Sequence, residues 1–286
     1  MPEMPEVEGL RAFLEGALVG RTATRAELAA FSALKTFATP LTALLGMEVD
    51  AVARHGKFLD LDIGGEHLIV HLARAGWLRW YDELPSRPAR PGKGPLALRV
   101  GFDGPGFDLT EAGTQRKLAI YVVGSPDEVP GIATLGRDPL ADDFTPDALA
   151  QVLVGSARTQ IKGVLRDQRI LAGIGNAYSD EILQRARLSP FKLAGSLSEA
   201  EASGLYEAIR AELSEAIERA VGRPPAELKD GKRTSMRVHG RKGESCPTCG
   251  TTIAEVSFAD SFLNYCPGCQ TGGKILADRR MSKLLK

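Results

Sequence analysis

No stretch of the 286-residue chain approaches the ~18 uninterrupted apolar residues of a membrane-spanning helix, which excludes an integral membrane protein of the helical kind. Cysteine is scarce: there are four, all in the last 41 residues, where a secreted disulfide scaffold would show more in a shorter chain. The opening MPEMPEVEGL carries prolines and glutamates where a secretory leader needs a basic and then an apolar region, so a cytoplasmic location is expected. No repeat of about 20–50 residues is present, which excludes a solenoid. Nor is there excess charge of either sign, Lys plus Arg and Asp plus Glu both totalling 36. That balance conceals an asymmetry. Residues 223–286 hold 12 basic and 6 acidic side chains, a net of +6 offset by −6 in the rest, so the tail suits a polyanionic partner. With 43% hydrophobic and 25% charged residues the composition is that of a folded globular protein, and the length fits about two domains.

Apolar residues at Val7, Leu10, Leu14 and Leu18 share one face of a helix over 3–18, with Gly20 beyond its end. Phe58–Ile63 alternates, Gly64-Gly65 turns and His67–Leu72 returns, a β-hairpin pattern. Strand-like runs follow at 77–81, 97–102 and 117–123. Pro85–Pro95, rich in Pro, Arg and Gly, has the composition of a mobile loop. Around Pro139 to Pro146 the pattern changes and becomes helical, with segments at 147–153, 160–171, 176–187 and 198–221. Ser198 and Glu201 fit a capping box opening the last of these. The division expected is 1–135, 136–222 and 223–286.

Cys246-Pro-Thr-Cys249 and Cys266-Pro-Gly-Cys269 stand sixteen residues apart. Each pair offers two thiolates from one tight turn, and together they suit one tetrahedral structural Zn ion, with redox pairs or free thiols as the alternative. A closed four-cysteine site leaves no open coordination position, so its role is to hold a small hairpin.

The N-terminus has chemistry of its own. Removal of Met1 would leave Pro2 with a free secondary amine. An α-amino group titrates near about 7.7–8.0 and a lysine near about 10.4, so at neutral pH roughly a tenth of the former is an uncharged nucleophile. A secondary amine attacking a sugar C1′ gives an iminium that cannot discharge by losing a proton from nitrogen, which acidifies the neighbouring C–H and promotes elimination. Glu3 is placed to relay the proton. Alternatively, Met-Pro-Glu merely starts a helix, and translation from Met4 would expose Pro5 in place of Pro2.

Four stretches in order, Met1–Glu8, His55-Gly-Lys57-Phe-Leu, Gly173-Ile-Gly-Asn176-Ala-Tyr-Ser-Asp-Glu181, and the cysteine pairs preceded by His239–Glu244, closely resemble the formamidopyrimidine-DNA glycosylase/endonuclease VIII family. The resemblance runs through nearly the whole chain. It implies an α+β fold: an N-terminal helix plus a two-layer β-sandwich, a helix–two-turn–helix domain and a C-terminal zinc β-hairpin, with DNA lying between. It implies a bifunctional DNA glycosylase/AP lyase of base-excision repair, acting as a monomer on duplex DNA that contains a damaged base or abasic site. By the same resemblance Pro2 is the nucleophile, Glu3 the general acid/base and Glu6 its support. Lys57, Lys162, Asn176 and His71 contact phosphates, and the glycines near Asn176 let backbone N–H groups approach an anion at a helix N-terminus.

The chain also departs from the family. Arg74 stands where many relatives place a methionine wedge. The usual Asp-Pro-Arg-Arg-Phe-Gly loop is missing, and Thr110–Lys117 takes its place with Arg116 as the partial substitute. Ser261 occupies the zinc-hairpin position of an arginine, for which Arg279 and Arg280 in the added tail are the candidate replacements. These departures leave lesion choice open. They also motivate two alternatives, a damage-binding protein on this scaffold that does not excise bases and a zinc-ribbon RNA-binding protein.

Overall fold

A computed structural model of the chain describes residues 1–92, 94–258 and 261–277, so Arg279 and Arg280 lie outside the described residues. The chain packs as two compact units, Met1–Leu135 with Ile217–Gly231, and Gly136–Ala216 with Lys232–Lys286. Among the described residues no helix is long and apolar enough to cross a membrane.

The first unit opens with α1 (Met4–Leu18), which buries Val7, Leu10, Leu14 and Leu18 as their spacing requires. Eight strands follow: β1 (Ala23–Leu28), β2 (Val49–His55), β3 (Phe58–Ile63), β4 (Glu66–His71), β5 (Gly76–Tyr81), β6 (Leu96–Phe102), β7 (Gly106–Glu111) and β8 (Ala119–Val123). A short helix, α2 (Pro130–Ala133), comes after them. The strands form two antiparallel sheets of a sandwich, ordered β1-β6-β7-β5 and β2-β3-β4-β8. Leu59, Leu61, Ile63, Leu68 and Val70 from one sheet and Leu78, Leu98, Val100, Phe107 and Leu109 from the other share the core with α1. Ala220 and Leu228 close that core against Gly9, where an added Cβ would lie 3.0–3.1 Å from both.

The Pro85–Pro95 loop is anchored from the sheet beside it. Its first part is pinned at three points: Arg25 Nη1 donates to Pro85 O (2.8 Å), Ala89 N to Glu27 Oε2 (2.7 Å) and Arg99 Nη1 to Arg87 O (2.8 Å). Arg99 is itself fixed by a two-point bond to buried Asp108 at 2.7 and 2.8 Å.

The second unit contains α3 (Pro146–Gly155), α4 (Ile161–Arg166), α5 (Asn176–Arg185) and α6 (Glu199–Ala220) through Ala216, then the end of α7 (Leu228–Ser235). The hairpin β9 (Ala254–Ser257) and β10 (Phe262–Tyr265) and the short α8 (Pro267–Gln270) complete it. Ser198 and Glu201 exchange the reciprocal bonds of a capping box at 2.8 and 3.3 Å. The helix expected over 160–171 stops at Arg166. Asp167 turns extended and its carboxylate takes the Arg169 N–H at 3.0 Å, a local bond that competes with helix continuation.

Candidate active site and metal centre

At the N-terminus Pro2 is buried beneath an exposed Met1. Glu3 precedes α1 as its N-cap and Glu6 is its third residue; both are buried, at 2% and 3% exposure, a rare condition for carboxylates. Glu6 Oε2 accepts from the Glu3 N–H at 2.8 Å, closing a capping box that holds the backbone on either side of Glu3. Met4 and Pro5 are the first two residues of the helix and are fully packed, so starting the chain at Met4 would delete the cap.

The register of the sheets gathers four of the expected residues at one end of the sandwich. The turn Gly56-Lys57 joins β2 to β3, where Phe58 pairs with His55 on one side and His71 on the other. Lys57 is 8% exposed. The His71 ring packs on Phe58, centroids 4.7 Å apart, and burial together with the Lys57 charge lowers its pKa to about 4. From β4 the chain reaches β5 through the tight turn Leu72–Gly76, whose Gly76 N–H bonds to Leu72 O at 2.9 Å. A Cβ on Gly76 would sit 2.2 Å from that oxygen, so only glycine closes the turn, and Arg74 stands exposed at its tip. Gly76 pairs with Glu111, so the loop carrying Arg116 leaves the sheet at this same end. Glu111 ties the loop shut by accepting from the Lys117 and Leu118 N–H groups, and Arg116 Nη2 donates to Gly94 O at 2.9 Å.

In the second unit Asn176 opens α5 behind Gly173, whose φ of +89° is the left-handed turn that only glycine enters freely. The Asn176 Nδ2 donates to Phe262 O at 2.7 Å, while its Oδ1 is buried without a partner among the described residues. Lys162 does not reach outward. The residue is 5% exposed and its ammonium bonds to Asn176 O (3.1 Å), Ser179 Oγ (2.7 Å) and Asp180 Oδ1 (2.5 Å), fixing the start of α5 from beneath.

Two acids at the end of the quoted motif carry a structural task that their sequence did not reveal. Asp180 Oδ2 takes His239 Nδ1 at 2.7 Å and the Asn264 N–H at 3.1 Å. Glu181 accepts three consecutive backbone N–H groups, from Arg237, Val238 and His239, at 2.7, 2.9 and 2.8 Å. Burial raises the Glu181 pKa against those bonds. The signal in the sequence was the run Ser179-Asp180-Glu181 inside a helix, where three successive polar residues cannot all face solvent.

The four cysteines are free thiols whose Sγ atoms all lie within 4.8 Å of one another, with Cys249–Cys266 at 3.3 Å and Cys246–Cys269 at 3.9 Å. Four Zn–S bonds of about 2.3 Å in a tetrahedron require sulfurs about 3.8 Å apart, so the set fits Zn. Thr251 bonds draw Cys249 down to about 6, whereas burial and neighbouring thiols push Cys266 and Cys269 up. Four thiolates this close need a dication to carry their charge. Among the described residues, Val238 and Ile253 are the only aliphatic members of the buried cluster around Cys246 and Cys266, so the centre adds to the small core that Val256, Leu263 and Tyr265 form on the hairpin strands.

Family models match in three blocks: the formamidopyrimidine-DNA glycosylase N-terminal domain over residues 1–118, the H2TH domain of the same glycosylase over 135–223, and the zinc finger found in FPG and IleRS over 233–272. The formamidopyrimidine-DNA glycosylase of Symbiobacterium thermophilum is 36% identical over 296 residues, covering 98% of this chain and 93% of that one. The crystal structure of the MutM (FPG) protein from Thermus thermophilus superimposes with a TM-score of 0.79 at 32% identity, covering 96% of this chain and all of the other. The Lactococcus lactis FPG bound to FAPY-dG-containing DNA gives 0.81 at 27% identity, with 94% and 100% covered.

Proposed function

This chain belongs to the formamidopyrimidine-DNA glycosylase family, and from that premise we propose that it excises damaged, chiefly oxidised, bases from duplex DNA and then nicks the strand. Removal of Met1 frees the Pro2 amine. The damaged nucleotide leaves the helix stack, at a cost of a few kcal/mol that damage itself reduces. Pro2 nitrogen attacks C1′ while the bond from C1′ to the base breaks, and the departing base takes a proton. The nitrogen gives up its proton, the C1′–O4′ bond breaks as O4′ takes one, and the opened sugar is held as an iminium; this acidifies C2′, loss of that proton expels the 3′ phosphate oxygen, and water then hydrolyses the iminium to release the enzyme. Glu3 handles protons beside Pro2, and Glu6 holds Glu3 by its backbone. Lys57 and His71 bind phosphate flanking the lesion, joined by Arg74 and Arg116 at the same end of the sandwich. Asn176, with the N–H groups of α5, binds a further phosphate that Lys162 serves by holding the helix start. The tail residues Arg279 and Arg280 add charge toward the backbone.

One observation carries this reading: a prospective N-terminal imino acid is seated in a buried position with buried carboxylates one and four residues along. The Lactococcus lactis relative, in complex with FAPY-dG-containing DNA, supports the choice of a damaged duplex as substrate. We place the enzyme as a monomer in the bacterial cytoplasm and nucleoid, with working segments 1–135, 136–222 and 223–286. The test is a panel of single-lesion duplexes assayed separately for released base and for nicked strand, with Pro2→Gly alongside. Release of an oxidised base, and its severe loss in the variant, is expected. Tight binding to abasic duplex with no base released and no nick by the wild type would instead make this a damage-binding protein.

A further inference from the structure

We propose that Arg54 is a positioning residue for this reaction: it ties the first turns of α1, which carry Pro2, to the turn that carries Lys57. The inference rests on the roles just given to Pro2 and Lys57.

Arg54 is the penultimate residue of β2 and its side chain is only 11% exposed. Its Nε donates to Glu8 Oε2 at 2.9 Å and its Nη1 to Gly56 O at 3.1 Å. Glu8 lies five residues beyond Glu3 on α1, is 17% exposed, and is oriented from its other side by Arg11 Nε on Oε1 at 2.5 Å. One planar guanidinium thus spans a helix carboxylate and the carbonyl immediately before Lys57. Gly56 itself has φ +56°, a residue without a Cβ in the left-handed region, so the turn borrows its rigidity from this bond.

Stability alone is a poor reason for such a pair. Removing two charges from water costs about as much as their attraction returns, so a buried ion pair contributes little net free energy. What the arrangement supplies is a fixed separation. A rigid fork reaches two acceptors at set angles, which an ammonium on a flexible stem does not do. Nucleophile and phosphate clamp lie on different elements, and a misplacement of about 1 Å between reacting groups costs on the order of 100-fold in rate. To the apolar packing of α1 on the sandwich, Arg54 adds a polar link at the turn that carries Lys57.

The experiment uses the full-length protein with Met1 removed. It follows single-turnover formation of the borohydride-trapped adduct on abasic duplex, and equilibrium binding to duplex holding a tetrahydrofuran abasic analogue. Arg54→Met and Glu8→Gln are each expected to slow trapping by about 10- to 100-fold while binding moves less than about threefold, and the double variant to be no slower than the worse single one. Arg54→Lys keeps the charge and tests folding: it is expected to melt near wild type and still trap slowly. Wild-type trapping rates in Arg54→Met, a loss of rate matched by an equal loss of binding, or multiplying effects in the double variant would overturn the inference and leave the function standing. Failure of the wild type itself to trap would remove both.

Discussion

Beside the Lys57 ammonium, the half-buried His71 imidazole has its pKa lowered to about 4 from an ordinary 6.5, and the consequence for stability has a definite sign. Between these values the unfolded chain binds a proton that the native state refuses. Stability therefore falls as pH drops from about 6.5 toward about 4, by ~3 kcal/mol at the limit of the full shift. His71→Gln should flatten that part of a Tm-against-pH curve; an unchanged acid slope would show that His71 does not set it. Glu3 offers a second test at this scale. Glu3→Gln keeps the helix cap but loses the proton site, and base release is expected to fall by about 10²–10⁴-fold with little change in Tm. Undiminished release would leave Glu3 as a cap and nothing more.

Among elements, α5 is the part whose meaning was least open to reading in advance. Its Gly173–Glu181 motif was legible as a whole, yet Lys162 was expected on DNA and is found under the helix, bonded to Asp180 and Ser179. Sequence reports that a lysine is present; whether it faces solvent depends on partners eighteen residues away. The β3–β4 hairpin was legible to the residue in its first strand because alternation and a Gly-Gly turn are local signals. By contrast β1, with the sequence ATRAEL, has no alternating apolar face and becomes a strand through pairing with β6, whereas β7 alternates Phe107 and Leu109 with Asp108 and Thr110 but only over a short run. Arg54 and Glu8 escaped notice because their pairing spans 46 residues. Composition marked Pro85–Pro95 as a loop, while the bonds from Arg25, Glu27 and Arg99 that anchor its first part lie outside the segment. Glu181→Gln would set an amide NH₂ against a backbone N–H that a carboxylate now accepts, at a cost of about 1–3 kcal/mol in denaturant unfolding. Stability equal to wild type would show that the Arg237–His239 segment is held by something else.

For the whole molecule, a neutral sequence that carries its surplus positive charge in the C-terminal region should still bind DNA with a salt penalty. Each phosphate neutralised contributes about −0.9 to the slope of log K against log salt, so a flat dependence would deny the phosphate contacts assigned to the cationic Lys57, Arg74 and Arg116. Zinc belongs to the same scale, since the four thiols hold the turns beside the small β9–β10 core of Val256, Leu263 and Tyr265. Chelation should expose the β9–β10 amides to hydrogen exchange while the sandwich strands keep their protection.

The most direct test maps the covalent bond. Protein cleared of Met1 is reduced with borohydride on abasic duplex, digested, and the peptide bearing the sugar remnant sequenced by mass spectrometry. The remnant is expected on the nitrogen of Pro2; its appearance on Lys57 or another lysine, or equal adduct from protein that retains Met1, would contradict the central claim.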